Sequence, residues 1–168
     1  DVLGGTTGPV VDLCTGSGCV ALSIAHEAPG AEVLAVDISA DAAALATENA
    51  TRLGFADRVT VLQGDLFDAL SRDLAGTIAG VVANPPYVPS GELGKLPAEV
   101  ARYEPPTALD GGADGLDVAR RIMRAGIIPQ SLGFGIDLCQ PRPRLSGIIL
   151  LRQRALDLES GRAAVAAA

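Results

Sequence analysis

A chain of 168 residues with 48 % hydrophobic side chains can build one domain with a real core, and an aromatic share of 3 % assigns that core to Ala, Val, Leu and Ile. A formal net charge of −7 repels phosphate backbones and counts against nucleic acid as a direct partner. Three cysteines without a C-x-x-C pair, beside the single histidine His26, count against structural zinc and suit a reducing cytoplasm; no apolar run is long enough to span a bilayer, and the opening residues, which enter a strand within ten positions, are not expected to act as a signal peptide.

Residues 9–13 form a short aliphatic run that predicts a first strand. It leads into the glycine-rich turn Asp12-Leu13-Cys14-Thr15-Gly16-Ser17-Gly18, and a helix follows over 20–27, stopped by Pro29-Gly30. A second strand over 32–37 ends on Asp37. Ser39 then caps a helix of strong formers over 40–53, closed by Gly54. A third strand over 59–63 ends at Gly64-Asp65, and a fourth over 78–83 ends at Asn84-Pro85-Pro86-Tyr87. Residues 88–114 hold much Pro and Gly and little periodicity, which predicts a long functional or mobile loop. A helix over 116–125 comes next, ended by Gly126 and Pro129.

Strands alternating with helices at short intervals predict an α/β fold with a doubly wound, mostly parallel sheet. Right-handed crossovers put helices on both faces. Ligands of such sheets bind beyond the carboxyl ends of the strands, and here all four ends carry special residues, so one shared cleft is expected.

Gly16 and Gly18 let the backbone approach a ligand closely. Asp37 lies 21 residues beyond Gly16, where a carboxylate can accept both hydroxyls of an adenosine ribose. The same layout serves NAD enzymes, since Gly16-x-Gly18-x-x-Ala21 fits the dinucleotide fingerprint. A carboxylate at Asp12, however, would repel a pyrophosphate. It suits a cation, and S-adenosylmethionine (SAM) carries both an ammonium and a sulfonium; the plainer role for Asp12 is to brace the turn. Asp65 is placed to accept from an adenine amino group and Leu66 to pack on the ring; a turn-initiating Asp and a core Leu are the plainer alternatives.

Asn84-Pro85-Pro86-Tyr87 is the most informative tetrapeptide. Two prolines lock the backbone and remove two donors, so the segment presents carbonyl oxygens. With the Asn84 side-chain carbonyl, these acceptors can hold both hydrogens of a planar –NH2 group, and Tyr87 offers it a flat face. His26, on the first helix, reads as a surface or helix-end residue.

Together the glycine turn, Asp37, Gly64-Asp65-Leu66-Phe67 and Asn84-Pro-Pro-Tyr87 resemble the class I SAM-dependent methyltransferases that act on amino groups. The segment over 100–117, Val-Ala-Arg-Tyr-Glu-Pro-Pro-Thr-Ala-Leu-Asp-Gly-Gly-Ala-Asp-Gly-Leu-Asp, is similar to the release-factor glutamine methyltransferases of the PrmC/HemK family. The resemblance covers roughly residues 8–125. It implies SAM as cofactor, contacted by Cys14, Thr15, Gly16, Ser17, Gly18 and Asp37, with Leu66 beside the adenine. It implies Asn84, Pro85, Pro86 and Tyr87 as the residues that hold the acceptor, with Asn84 also expected to contact the cofactor. That acceptor would be the glutamine side chain in the Gly-Gly-Gln motif of a peptide-chain release factor.

Three departures stand out. Cys14 occupies a position where Gly is more usual. The resemblance leads one to expect an N-terminal domain that docks the release factor, which these residues do not include, and a start on Asp1 rather than Met suggests sequence upstream. Residues 126–168 lack the expected Pro-Gly-Gly turn, strand and final helix–strand pair, offering one apolar run over 148–151 and an Ala-rich tail. Charge reverses in the same place: residues 1–140 carry 8 basic and 18 acidic side chains, residues 141–168 carry 5 Arg and 2 acids. The organisation expected is therefore a SAM-binding core over 1–130 and a segment over 131–168 that is divergent or translated from a shifted frame, leaving the sheet incomplete at its C-terminal edge. Two rival functions remain: a nucleic-acid amino methyltransferase, disfavoured by the acidic charge, and a non-catalytic SAM-binding remnant. An NAD oxidoreductase leaves the tetrapeptide unexplained.

Overall fold

A computed structural model describes residues 8–125, 136–138 and 149–152. In chain order the elements are β1 (Val10–Leu13), α1 (Cys19–Glu27), β2 (Val33–Asp37), α2 (Ala40–Arg52), β3 (Val59–Gln63), β4 (Gly80–Ala83), α3 (Ala98–Tyr103), α4 (Pro106–Leu109), α5 (Asp117–Arg124), β5 (Ile136–Leu138) and β6 (Ile149–Arg152). One sheet runs in the order β3-β2-β1-β4-β6-β5. The first four strands are mutually parallel. β6 lies antiparallel beside β4 on the predicted apolar run, and β5 pairs antiparallel with β6. The rest of the expected C-terminal segment over 131–168 lies outside the described residues, as do Gly126 and Pro129.

Both faces of the parallel strands are covered, which is why β1 and β4 read as uninterrupted buried runs. On one face Val33, Ala35 and Val59 pack with Ala21, Leu22 and Ala25 of α1 and Ala50 of α2. On the other, Val11, Leu13, Val36 and Val81 pack with Phe67 and with Ile122 of α5. The Val, Leu, Ile and Phe side chains among these contribute about 1.5–3 kcal/mol each when fully removed from water, and the Ala methyls less. The small Ala residues of α2 let it lie close to the sheet, and Ser39 caps it by accepting from the Ala42 amide at 3.3 Å.

Two stretches hold more structure than the sequence pattern predicts. Residues 66–69 and 72–74 form 3-10 turns between β3 and β4. Within the expected long loop lie a 3-10 turn at Ser90–Lys95 and the short helices α3 and α4. Pro97 and Pro105 sit at their N-caps and Pro106 opens α4; proline at a helix start costs no hydrogen bond. Segments of four to six residues are too short for a helical period to emerge, so they read as loop. Among the described residues no helix is long and apolar enough to cross a membrane.

Candidate functional site

The strand order reverses between β1 and β4, and ligands of open α/β sheets bind at such switch points. Register brings the predicted residues to this edge. Leu13 pairs with both Val36 and Ala83, and Asp37 pairs with Gln63. Cys14, Asp37, Gly64 and Asn84 therefore leave the sheet side by side.

The turn is braced from within. Asp12, 1 % exposed, accepts through Oδ2 from Thr15 Oγ1 at 2.6 Å and from the Ala21 amide at 3.1 Å. Those bonds tie β1 to the start of α1, the bracing role. Its Oδ1 has no partner among the described residues. Burial pushes the Asp12 carboxyl up to about 6; the two hydrogen bonds oppose that rise and the Asp37 charge adds to it. The Thr15 amide donates to Val36 O at 3.0 Å, and Asn49 of α2 donates to Ser17 O at 2.9 Å, so strand and helix both hold the loop.

The two glycines serve different ends. Gly16 (φ +57°) has open space where a Cβ would stand, as a ligand-facing position requires. Gly18 (φ +81°) faces Ala46 at 3.2 Å, so its missing side chain admits α2. Cys14 (φ +57°) and Leu66 (φ +49°) occupy the same left-handed region without being glycine, a cost of about 1–2 kcal/mol each. Cys14 follows β1 directly and Leu66 opens the 3-10 turn beyond β3, and residues held in such sparsely populated backbone regions cluster at ligand sites.

Asp37 is aimed by the backbone: Oδ2 accepts from the Gly16 amide at 2.8 Å and Oδ1 from the Ser39 amide at 2.9 Å. An ionised carboxylate offers about four lone-pair sites, so each oxygen keeps one for a ligand hydroxyl. Asp65 is engaged by Arg121 of α5, with Nη2 to Oδ2 at 2.7 Å. That ion pair occupies one of the two oxygens expected to meet an adenine amino group. Leu66 packs on the core cluster of β1, β2 and β4, the plainer of its two roles.

That the carboxylates converge is visible at Cys14. Its thiol is pushed up to about 12, first by burial and then by Asp37, Asp12 and Asp65, with Arg121 opposing. Asp12 of β1, Asp37 at the end of β2 and Asp65 just beyond β3 thus all act on this thiol, with the Arg121 guanidinium, paired to Asp65, acting against them.

Beyond β4, Asn84 is exposed, Pro85 is buried, and Pro86 and Tyr87 are half-buried. The Asn84 side chain makes no hydrogen bond to any described residue. His26 lies in the last turn of α1, edge-on to Phe55 with ring centroids 6.3 Å apart, away from the strand ends. A groove of about 450 Å³ between α1 and α2 takes in Ser17 and Cys19 but none of the strand-end carboxylates. Two residues of the edge escape sequence reasoning. Arg121 stands 56 positions from Asp65, with no local signal. Ile38, directly after Asp37, is 61 % exposed, and an apolar residue between a strand-ending acid and a cap is the signal available.

The sequence profile of the family described as "Methyltransferase small domain" matches residues 2–99. The chain is 49 % identical over 115 residues to the ribosomal protein uL3 glutamine methyltransferase of Bordetella pertussis, covering 68 % of this chain and 37 % of that protein. It is 53 % identical over 114 residues to the release factor glutamine methyltransferase of Moorella thermoacetica, covering 68 % and 39 %. The chain thus spans about two fifths of the length of these relatives. Among solved structures, the hMettl16 catalytic domain in complex with MAT2A 3'UTR hairpin 1 superposes with a TM-score of 0.59 at 18 % identity, over 94 % of this chain and 67 % of that one, which supports the α/β fold alone. With residues 2–99 of 168 under the family profile, the chain belongs to the methyltransferase small domain family.

Proposed function

We propose that the chain is the SAM-binding core of a protein glutamine N5-methyltransferase, acting on the Gly-Gly-Gln glutamine of peptide-chain release factors. The observation that carries this is the pairing of Leu13 with Ala83, which sets the glycine turn beside Asn84-Pro85-Pro86-Tyr87. A cofactor pole and an amide-holding tetrapeptide then share one edge.

The residues present fit the cofactor. Asp37 keeps lone pairs for a ribose diol, and Gly16 leaves room for close approach. The exposed Ile38 gives an apolar platform beside the carboxylate, and Asp12 Oδ1 suits an ammonium. Three acids around Cys14 favour a cationic ligand over a pyrophosphate. When bound, SAM supplies a methyl group activated on a sulfonium.

The chain's own residues do the rest by positioning. An amide nitrogen is a poor nucleophile, because its lone pair is delocalised into the carbonyl. The Asn84 side-chain oxygen and the carbonyls of the proline segment accept both amide hydrogens, which orients the nitrogen and favours positive charge on it. Positioning of this kind supplies roughly 7–11 kcal/mol in ideal cases. No strong base is required, since the nitrogen becomes acidic as it gains the methyl group. The site accordingly makes no use of His26.

The relatives' names bear on the substrate. One is named for release factors and one for ribosomal protein uL3, at similar identity over the same share of this chain, so uL3 is the second reading. Incubation with methyl-labelled SAM and equal amounts of a release factor, uL3 and ribosomal RNA tests the assignment. Label on the release factor, mapped by mass spectrometry to the Gly-Gly-Gln side chain, is the expected result. Label on uL3 favours the second reading, and label on RNA refutes both.

A further inference from the structure

We propose that Asp110 is a positioning residue: it fastens the neck of the loop that follows Asn84-Pro85-Pro86-Tyr87 and so fixes the tetrapeptide against the sheet. The inference rests on the amide-methylation reading above.

Ser90 and Asp110, joined at the neck, stand 20 positions apart in the chain. No residue from 91 to 109 is buried, so packing inside this stretch does not anchor its ends. Anchoring falls to the neck. The Val88 amide donates to Leu109 O and the Gly111 amide to Val88 O, each at 2.9 Å, and the Ser90 amide donates to Gly112 O at 2.9 Å. Asp110 is the one side chain in this zipper that bonds both strands of the neck. Its Oδ1 accepts from Ser90 Oγ at 2.7 Å on the outgoing side and from the Gly112 amide at 2.9 Å on the returning side.

The returning strand then lies directly on the tetrapeptide. Gly115 (φ +79°) has no room for a side chain, because a Cβ there would collide with the Tyr87 carbonyl oxygen. The Asp117 amide donates to Gly111 O at 2.9 Å and leads into α5, whose Ile122 is seated in the core. A continuous path therefore runs from the sheet, through α5 and the neck, to the backbone of Tyr87. Without the Asp110 bonds, the ties left across the neck are backbone hydrogen bonds, two of them at the buried Val88 and Gly111 and the third, from Ser90 to Gly112, between residues that are not buried. A tetrapeptide that must hold an amide in line with a methyl donor loses rate to small displacements.

Asp110→Ala and Asp110→Asn test this in the 168-residue chain, with Asn retaining the acceptor oxygen. Three quantities are read: kcat for methyl transfer, SAM affinity by calorimetry, and hydrogen exchange at the Val88, Ser90 and Gly111 amides. Each hydrogen bond lost is expected to change a local equilibrium by roughly two- to tenfold. Asp110→Ala should therefore lower kcat by about tenfold and speed exchange at the three neck amides by a similar factor, with SAM affinity unchanged. Asp110→Asn should restore most of both. A kcat within twofold of the parent in Asp110→Ala, or an equal loss in Asp110→Asn, overturns the positioning role. If the parent chain transfers no methyl group, the functional reading fails and exchange alone decides the clamp. Neck amides that open in Asp110→Ala but not in Asp110→Asn uphold it, and unchanged exchange overturns it.

Discussion

Asp12 braces the glycine turn and, on the function proposed above, also meets the ligand; replacing it with Asn separates the two roles. Its carboxyl is raised from the ordinary 3.8 to about 6, chiefly by burial. The folded chain therefore holds the Asp12 proton more tightly than the unfolded chain does. Stability from this residue is full below pH about 4, declines as pH climbs, and is lost once pH passes about 6. The whole shift corresponds to about 3 kcal/mol, of which about 2 falls between pH 4.5 and 7.5. In Asp12→Asn that contribution disappears, while the side-chain oxygen can still accept from Thr15 and Ala21. Urea unfolding of both proteins at several pH values isolates it, because every other titrating group is shared. The parent should lose about 2 kcal/mol more than the variant between pH 4.5 and 7.5. Ligand binding should run the opposite way, because a cation favours the ionised carboxyl. SAM should bind the parent about tenfold more weakly at pH 5 than at pH 8, and the variant with no such dependence. Identical stability slopes in parent and variant, or a SAM affinity that is flat with pH in the parent, would refute the reasoning.

Asn84→Ala should leave stability within about 0.5 kcal/mol, as expected of an exposed side chain without a described partner, yet abolish methyl transfer; unfolding curves and a labelled-methyl assay read the two effects. Arg121→Ala breaks a half-exposed ion pair with Asp65 and should cost under about 1 kcal/mol. SAM affinity should fall in Asp65→Ala and hold in Arg121→Ala; equal losses by calorimetry would make the pair a structural latch. Gly18→Ala places a Cβ 3.2 Å from Ala46 at φ +81° and should destabilise by about 1–2 kcal/mol in urea, against almost nothing for an exposed loop glycine such as Gly91.

The strands and the two long helices were legible because their signals are local. Aliphatic runs such as 80–83 mark strands buried on both faces, and Ser39 and Gly54 bracket α2 where a cap and a stop should stand. The four strand-end positions followed from that alternation, and register brings them to one edge. What stayed hidden depends on distance or brevity. Nothing near Asp65 in sequence announces Arg121, and nothing near Ser90 announces Asp110. The helices of four and six residues that start on prolines carry too few turns to show a period. Asp12 illustrates a third limit. Its position fits either a ligand contact or a brace, and the sequence holds no sign that Oδ2 is taken by Thr15 and Ala21 while Oδ1 has no partner among the described residues.

The most direct test is a crystal structure of this chain with S-adenosylhomocysteine. The account predicts the ligand beyond the carboxyl ends of β1, β2 and β4, with ribose hydroxyls on Asp37, the amino acid moiety over Gly16 and the sulfur turned toward Asn84. Density in the α1–α2 groove, or a ligand whose sulfur faces away from the tetrapeptide, would contradict it.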